Sequence, residues 1–138
     1  MDVFFNDLGN TAAWLGVAIV LMLAGFIAVD MLTPGDLRKQ VSESLNAGLL
    51  VGGKMVAVGI IIFSAIWTAP DGLSDGLVEA ALYSVLGLII SAVMFILVDL
   101  ILPADLRRLV EQKEFDPAIC VAVGSEIGLA LVIAAAIS

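Results

Sequence analysis

The stretch that decides the fold is Phe26-Ile-Ala-Val-Asp30-Met-Leu-Thr-Pro34-Gly-Asp-Leu-Arg38, which ends the first apolar run of the chain. It recurs as Phe95-Ile-Leu-Val-Asp99-Leu-Ile-Leu-Pro103-Ala-Asp-Leu-Arg107. In each copy an apolar run ends at an aspartate, and a proline then prevents the helix from continuing. Because self-similarity at a fixed spacing marks a repeated structural unit, the sequence predicts two tandem copies of one unit.

The composition indicates that the chain lies in a lipid bilayer. Of its 138 residues, 62% are hydrophobic and 14% are charged. A soluble domain has roughly 45–50% apolar and about 25% charged residues. We therefore expect an all-α integral membrane protein in which residues 1–138 form a single membrane domain.

Four apolar runs have the length of a spanning helix, which is about 20 residues. They are Thr11–Leu32, Leu45–Trp67, Leu77–Leu102 and Pro117–Ile137. Paired in chain order, they predict a first helical-hairpin repeat at residues 11–67 and a second at residues 77–137.

The basic residues outside the spans predict the orientation. They are confined to the loops that follow the two copies of the repeated stretch: Arg38, Lys39, Arg107, Arg108 and Lys113. The positive-inside rule places these loops in the cytoplasm and both termini outside, which predicts an N-out/C-out multi-pass membrane protein. The loop segments Asp36–Ser44 and Asp105–Glu114 carry mixed charge, and we expect short interfacial helices there rather than solvated connectors.

Two charges lie well inside the spans, far from the span ends. Lys54 and Glu126 each lie nine residues beyond the start of an even-numbered span, about 14 Å from its cytoplasmic end. A lone charge at this depth costs about 2.5–3.5 kcal/mol on insertion scales, so the sequence predicts an ion pair between them. Three roles are open for these residues: a structural pair that fixes helix register, a proton or ion path, or pairing with another subunit.

The same two spans contain the helix-packing motif GxxxG, at Gly48 and Gly52 and again at Gly124 and Gly128. Glycines at this spacing allow helix backbones to approach closely. At 100° per residue Lys54 lies about 200° from Gly52, and Glu126 lies about 200° from both Gly124 and Gly128, so the two features occupy different faces. One face can pack inside the bundle and the other elsewhere, with self-association as one possibility.

The aspartates that end the odd-numbered spans, Asp30 and Asp99, oppose the helix macrodipole. A partner such as Arg38, Arg107 or a backbone donor in the loop would offset that effect. We expect these aspartates to fix the turns, with direct ligand binding as the alternative. The predicted repeat-loop motif comprises Asp30, Thr33, Pro34, Gly35 and Asp36 in the first copy, and Asp99, Pro103 and Asp105 in the second.

The sequence contains few residues that could form a metal site, a disulfide or an enzyme active site. Histidine is absent and Cys120 is the single cysteine, so histidine-ligated metals and an intrachain disulfide are not expected. The net charge of −8 argues against nucleic acid as a partner. We expect no cofactor and no enzyme activity, because no nucleophile–base set or phosphate loop is recognisable.

The chain resembles the YjfL-type family of small bacterial inner-membrane proteins, a domain of unknown function. The likeness rests on Asp30-Met-Leu-Thr-Pro-Gly35, its weaker copy Asp99-Leu-Ile-Leu-Pro-Ala104, and Asn46-Ala47 at the start of the second span. The resemblance covers nearly the whole chain and implies four spans in two hairpin repeats, without an established activity.

The leading functional hypothesis is a non-enzymatic membrane protein that acts through partners, as an accessory or assembly subunit or an envelope-stress factor. The expected partners are membrane lipid and other membrane-protein subunits or further copies of this chain. The alternative is a small oligomeric channel or proton-coupled transporter that uses the pair of Lys54 and Glu126.

Overall fold

The computed structural model describes residues 1–32, 36–101 and 106–138, and these residues form six helices and no strand. The helices are α1 (Asp2–Leu32), α2 (Leu37–Glu43), α3 (Leu45–Trp67), α4 (Leu73–Ile101), α5 (Leu106–Glu111) and α6 (Ala118–Ile137). The helices α1, α3, α4 and α6 are long and apolar enough to cross a membrane. The predicted all-α membrane fold with four spans is therefore confirmed, and α2 and α5 occupy the segments where short helices were expected.

The ends of several helices differ from the limits of the predicted spans, which concern the part of each helix inside the bilayer and stay a prediction. Helix α1 begins at Asp2 instead of Thr11, α4 begins at Leu73 instead of Leu77, and α6 begins after Pro117. The predicted end at Leu102 lies outside the described residues. Hydropathy detects only the part of a helix that suits hydrocarbon, whereas a helix continues wherever its backbone hydrogen bonds are satisfied. At 1.5 Å per residue the 31 residues of α1 extend about 46 Å, well beyond a hydrocarbon core of about 30 Å.

Helix α3 is the central helix of the bundle. Its largest interface is with α6, which runs in the same direction, and it also packs against α1 and α4. Helices α1 and α4 contact each other and close the bundle on one side. The short helices α2 and α5 lie together at the end where α3 and α6 begin, which we call the α2/α5 end.

The buried positions of α6 repeat those of α3. Lys54 and Glu126 are separated by 72 residues. At this same spacing, every buried residue of α6 corresponds to a buried residue of α3. The pairs are Ala47 with Ile119, Leu50 with Ala122, Lys54 with Glu126, Val58 with Ala130, and Ile61 with Ile133. The two helices thus present matching faces to the interior, at a spacing three residues longer than the 69 residues between Phe26 and Phe95 of the repeated stretch. The tandem repeat itself stays a prediction.

A glycine next to Lys54 sets how closely the two central helices approach. A Cβ atom built on Gly53 would lie 2.6 Å from Cγ1 of Val123 on α6, which is too close for any real Cβ. Because glycine has no side chain, the α3 backbone can pack directly against Val123. This close approach occurs one residue before Lys54 and three before Glu126, so it determines the geometry of the pair.

Candidate functional site

The candidate site is the contact between Lys54 of α3 and Glu126 of α6. Nζ of Lys54 lies 3.2 Å from Oε1 of Glu126 and donates a hydrogen bond to it. Both side chains are only 4% exposed. This salt bridge joins two side chains that lie 72 residues apart in the chain. The predicted contact between these two charges is therefore present.

A third helix contributes an aromatic ring to the pair. Nζ of Lys54 lies 3.0 Å from the centroid of the Phe95 ring on α4. The negative face of an aromatic ring attracts a cation, and the attraction is strongest where water is excluded. Asp99, one turn further along α4, adds a favourable electrostatic interaction with the same ammonium. Phe95 and Asp99 belong to the repeated stretch, but no pattern in the sequence predicts that Phe95 contacts Lys54.

A small cavity beside the pair is lined by all four spanning helices. It has a volume of about 30 Å³. Its polar lining comes from Lys54, Glu126 and Ser91. The apolar lining comes from Gly25, Ala28, Val29, Leu32, Val58, Leu88, Ala92 and Phe95. The two charged side chains are thus themselves buried, and they border a cavity to which all four spanning helices contribute.

The energetics favour a pair that forms inside the bundle. Each charge alone would be costly at this depth in the bilayer. The attraction between opposite charges offsets that cost only when the contact geometry is good. The hydrogen bond between the partners and the aromatic ring supply that geometry, so the site can hold two charges in fixed positions.

A second polar network, which sequence reasoning missed, joins the start of α3 to the segment after α5. The side chain of Asn46 is fully buried and makes three hydrogen bonds. Its Nδ2 donates to the carbonyl oxygens of Leu109 and Glu114 at 3.0 and 2.8 Å, and its Oδ1 accepts from the Asp116 amide at 3.1 Å. Asn46 therefore fixes the loop between α5 and α6 against α3.

Ser44 reinforces this network at the first turn of α3. Its Oγ donates to the Gln112 carbonyl at 2.6 Å and accepts from the Ala47 amide at 3.4 Å. A serine before an apolar run is a recognisable N-cap signal. No local pattern indicates the contacts of Asn46, because its partners lie 63 to 70 residues away.

The repeat-loop motif is only partly within the described residues. Thr33, Pro34, Gly35, Pro103 and Asp105 lie outside them. Asp36 begins α2, and its side chain accepts a hydrogen bond from the Lys39 amide at 3.5 Å. Asp30 and Asp99 are exposed, and neither forms a salt bridge with a described side chain. Their turn-fixing role stays a prediction, and the interaction described for Asp99 is with Lys54.

The GxxxG glycines lie on outward faces of α3 and α6. A Cβ atom on Gly52, Gly124 or Gly128 would meet nothing within 4 Å, and one on Gly48 would approach only the Val41 carbonyl, at 3.9 Å. Close packing between α3 and α6 uses Gly53 instead. The motif glycines are consequently available to molecules outside this chain.

The residues used to predict orientation lie at the α2/α5 end. The side chains of Arg38, Lys39, Arg108 and Lys113 are exposed there, and the side chain of Arg107 lies outside the described residues. Within the described part of the chain, no cluster of three or more His, Cys, Asp or Glu side chains is placed to hold a metal ion.

We expect the single variants Lys54→Met and Glu126→Gln each to lower the stability of the protein in detergent, by about 3–5 kcal/mol, because each leaves one buried charge without its partner. The double variant removes both charges and should recover much of that loss. The charge swap Lys54→Glu with Glu126→Lys should also be tolerated. Thermal unfolding in a mild detergent, followed by helical circular dichroism, measures all four variants. Single losses that simply add in the double variant would contradict an interacting pair.

Comparison with known proteins identifies the family of this chain. Residues 3–137 match the family described as Domain of Unknown Function (DUF350). A UPF0719 transmembrane protein of Mycolicibacterium paratuberculosis (strain ATCC BAA-968 / K-10) is 33% identical over 109 residues, which cover 78% of this chain and 72% of that protein. The UPF0719 transmembrane protein Mb2631 of Mycobacterium bovis (strain ATCC BAA-935 / AF2122/97) is 31% identical over 130 residues, covering 93% of this chain and 86% of that protein.

No solved structure matches the chain. The narrower YjfL-type resemblance stays a prediction, whereas the family match extends over nearly the full length. With four helices suited to a bilayer and relatives named as transmembrane proteins, this chain is a multi-pass membrane protein that belongs to the DUF350 family.

Proposed function

We propose that the protein is a non-enzymatic subunit of the bacterial inner membrane that acts through other membrane proteins, as an accessory or assembly subunit or an envelope-stress factor. One observation carries this proposal. The charges within the bundle neutralise each other, whereas a Cβ atom on Gly52, Gly124 or Gly128 of the GxxxG motifs would meet nothing within 4 Å. The interior is therefore suited to holding the bundle together, and the exterior is suited to contact with other helices.

The outward glycine faces supply the physical basis for such contacts. Between membrane helices the hydrophobic effect gives no driving force, so association depends on close van der Waals packing and on polar contacts. Gly52 on α3 and Gly124 and Gly128 on α6 leave the backbone accessible to a neighbouring helix. Further copies of this chain and other membrane subunits both fit this requirement.

A small channel or proton-coupled transporter is the second candidate. The observation in its favour is the cavity beside Lys54 and Glu126, because it brings an internal space to two titratable groups within the membrane. Ionisable residues in spanning helices often mark proton or ion pathways. In the described residues the two charges are already paired, which favours the first candidate.

The proposed orientation places the α2/α5 end in the cytoplasm and both termini outside. The exposed Arg38, Lys39, Arg108 and Lys113 support it, since basic residues near span ends are retained on the cytoplasmic side.

The accessory role predicts that bulky residues on the α6 glycine face disrupt association without unfolding the chain. Gly124→Ile with Gly128→Ile should reduce recovery of a stoichiometric complex or homo-oligomer by at least about tenfold. Copurification in mild detergent, followed by light scattering on a sizing column, measures this. Gly16→Ile is the matched control, because Gly16 on α1 also meets nothing within 4 Å but lies outside both motifs.

A contrasting control separates association from folding. Gly53→Ile should destabilise the monomer itself, since its Cβ would collide with Val123. Unchanged association in the Gly124→Ile, Gly128→Ile variant would contradict a role for that face.

The orientation predicts which introduced thiols an impermeant reagent reaches in intact cells. In a Cys120→Ser background, Asp71→Cys should react, whereas Ser42→Cys and Gln112→Cys should be protected until the membrane is opened. Asp71 is preferred to its neighbour Gly72, whose φ of 109° disfavours any residue with a side chain. The reverse labelling pattern would show that the basic end faces outward.

The transport candidate has its own test in sealed proteoliposomes that contain a pH-sensitive dye. The accessory role predicts that the purified protein gives no proton flux above that of protein-free vesicles. A flux in the wild-type protein that disappears in the Lys54→Met, Glu126→Gln variant would establish the transport candidate instead. The double variant is suitable because its bundle contains no unpaired buried charge.

A further inference from the structure

The ion pair has hydrogen-bonding capacity that the described protein groups do not use. An ammonium group has three donor hydrogens, and a carboxylate accepts up to about four hydrogen bonds. Between Lys54 and Glu126 a single hydrogen bond is formed, and one side of the ammonium is covered by Phe95. Both side chains also line the cavity between the spanning helices, so their remaining hydrogen-bonding capacity is directed towards that cavity.

The cavity has the size and the lining that a buried water molecule requires. A single water needs at least about 10–15 Å³ and two to four polar partners, whereas cavities that stay dry are apolar. The volume here is about 30 Å³, and the lining includes Lys54, Glu126 and the hydroxyl-bearing Ser91. The cavity therefore accommodates one or two waters with enough partners to hold them.

A second hydroxyl lies on the same face of α4. Ser84 and Ser91 are seven residues apart, which places them about 20° from each other around the helix. Ser84 is fully buried, and its Oγ has no hydrogen-bond partner among the described residues. Leaving a buried hydroxyl unpaired costs about 1–3 kcal/mol. This face of α4 thus carries two hydroxyls that can form further hydrogen bonds: that of Ser91 at the cavity and that of Ser84 beyond it.

The cavity lies near the α2/α5 ends of α1 and α4. Leu32, the last residue of α1, is part of the lining, and Phe95 lies six residues before the end of α4. The exposed Asp99 follows Phe95 by one turn and interacts electrostatically with Lys54. Asp99 is therefore a charged group between the pair and this end of α4.

From these observations we infer that the cavity between α1 and α4 is a hydration site, in which water is bound by Lys54, Glu126 and Ser91 and exchanges with solvent at the α2/α5 end. The pair is then a hydrated site inside the membrane and not a dry one. This inference does not rest on either candidate function, because a structural pair and a proton path are both compatible with bound water.

The test uses Ag⁺ as a probe, since this small cation reacts with the thiolate form of cysteine, which forms only where water is present. In a Cys120→Ala background in lipid nanodiscs, Ser91→Cys replaces one small polar side chain of the cavity by a thiol of similar size. The matched controls are Ile89→Cys and Val93→Cys, on the exposed side of the same helix at nearly the same depth. Thiols that remain free after timed exposure to Ag⁺ are counted with a maleimide dye in denaturant.

We expect the thiol of Ser91→Cys to react at least tenfold faster than either control. Adding Ala92→Leu, which fills the cavity, should slow the Ser91→Cys reaction to the control rate. Equal rates for the three single cysteines would overturn the inference, as would a fast Ser91→Cys reaction that Ala92→Leu leaves unchanged. Helical circular dichroism of each variant in the same nanodiscs verifies that the bundle is intact before rates are compared.

Discussion

The structure depends on how two opposite charges are held within a bilayer. Lys54 and Glu126 come from different halves of the chain, and each alone would be costly at that depth. Their contact requires α3 and α6 to lie side by side in one register, with the two side chains at the same height. Phe95 brings α4 to the same place, and α1 completes the enclosure around the cavity. The arrangement of all four spanning helices is therefore tied to this one contact.

Small residues make that contact sterically possible. A salt bridge between two spanning helices needs backbones that approach more closely than large side chains allow. Gly53 meets this need next to Lys54, and Gly25 on α1 does the same opposite Val58, where a Cβ would lie 2.6 Å from Cγ1. The glycines that face outward have no such role inside the chain. Glycines on the inward faces thus allow the helices of the bundle to approach each other, whereas those on the outward faces leave the backbone accessible to other molecules. The role of each glycine depends on the face that it occupies.

Much of the architecture could be predicted from the sequence, because the bilayer imposes simple rules. Four long apolar runs predicted four spans, and the structure has four helices that are suited to a bilayer. Two opposite charges at the same depth predicted an ion pair, and the structure contains that contact. The starts of α1 and α4 lie before the predicted spans because hydropathy reports contact with hydrocarbon and not the extent of a helix. The importance of Gly53 was missed since a GxxxG pattern does not indicate which glycine faces a neighbour. Asn46 and Phe95 were missed because their partners are distant in sequence, and only the packed bundle brings them together.

The matched burial of α3 and α6 explains why the charges are opposite. If the two halves are copies related by a two-fold axis between these helices, the residue at position 54 faces its own equivalent, position 126. Two identical hairpins would place like charges there, and like charges in a low-dielectric interior repel strongly. Joining both copies in one chain allows the equivalent positions to differ, so that one is Lys and the other Glu. The same divergence applies at the loops, where Asn46 fixes the segment before α6 and its equivalent, Ala118, has no side chain that can do so. A single chain can thus stabilise a pair of charges and an asymmetric loop contact that a symmetric dimer of hairpins cannot.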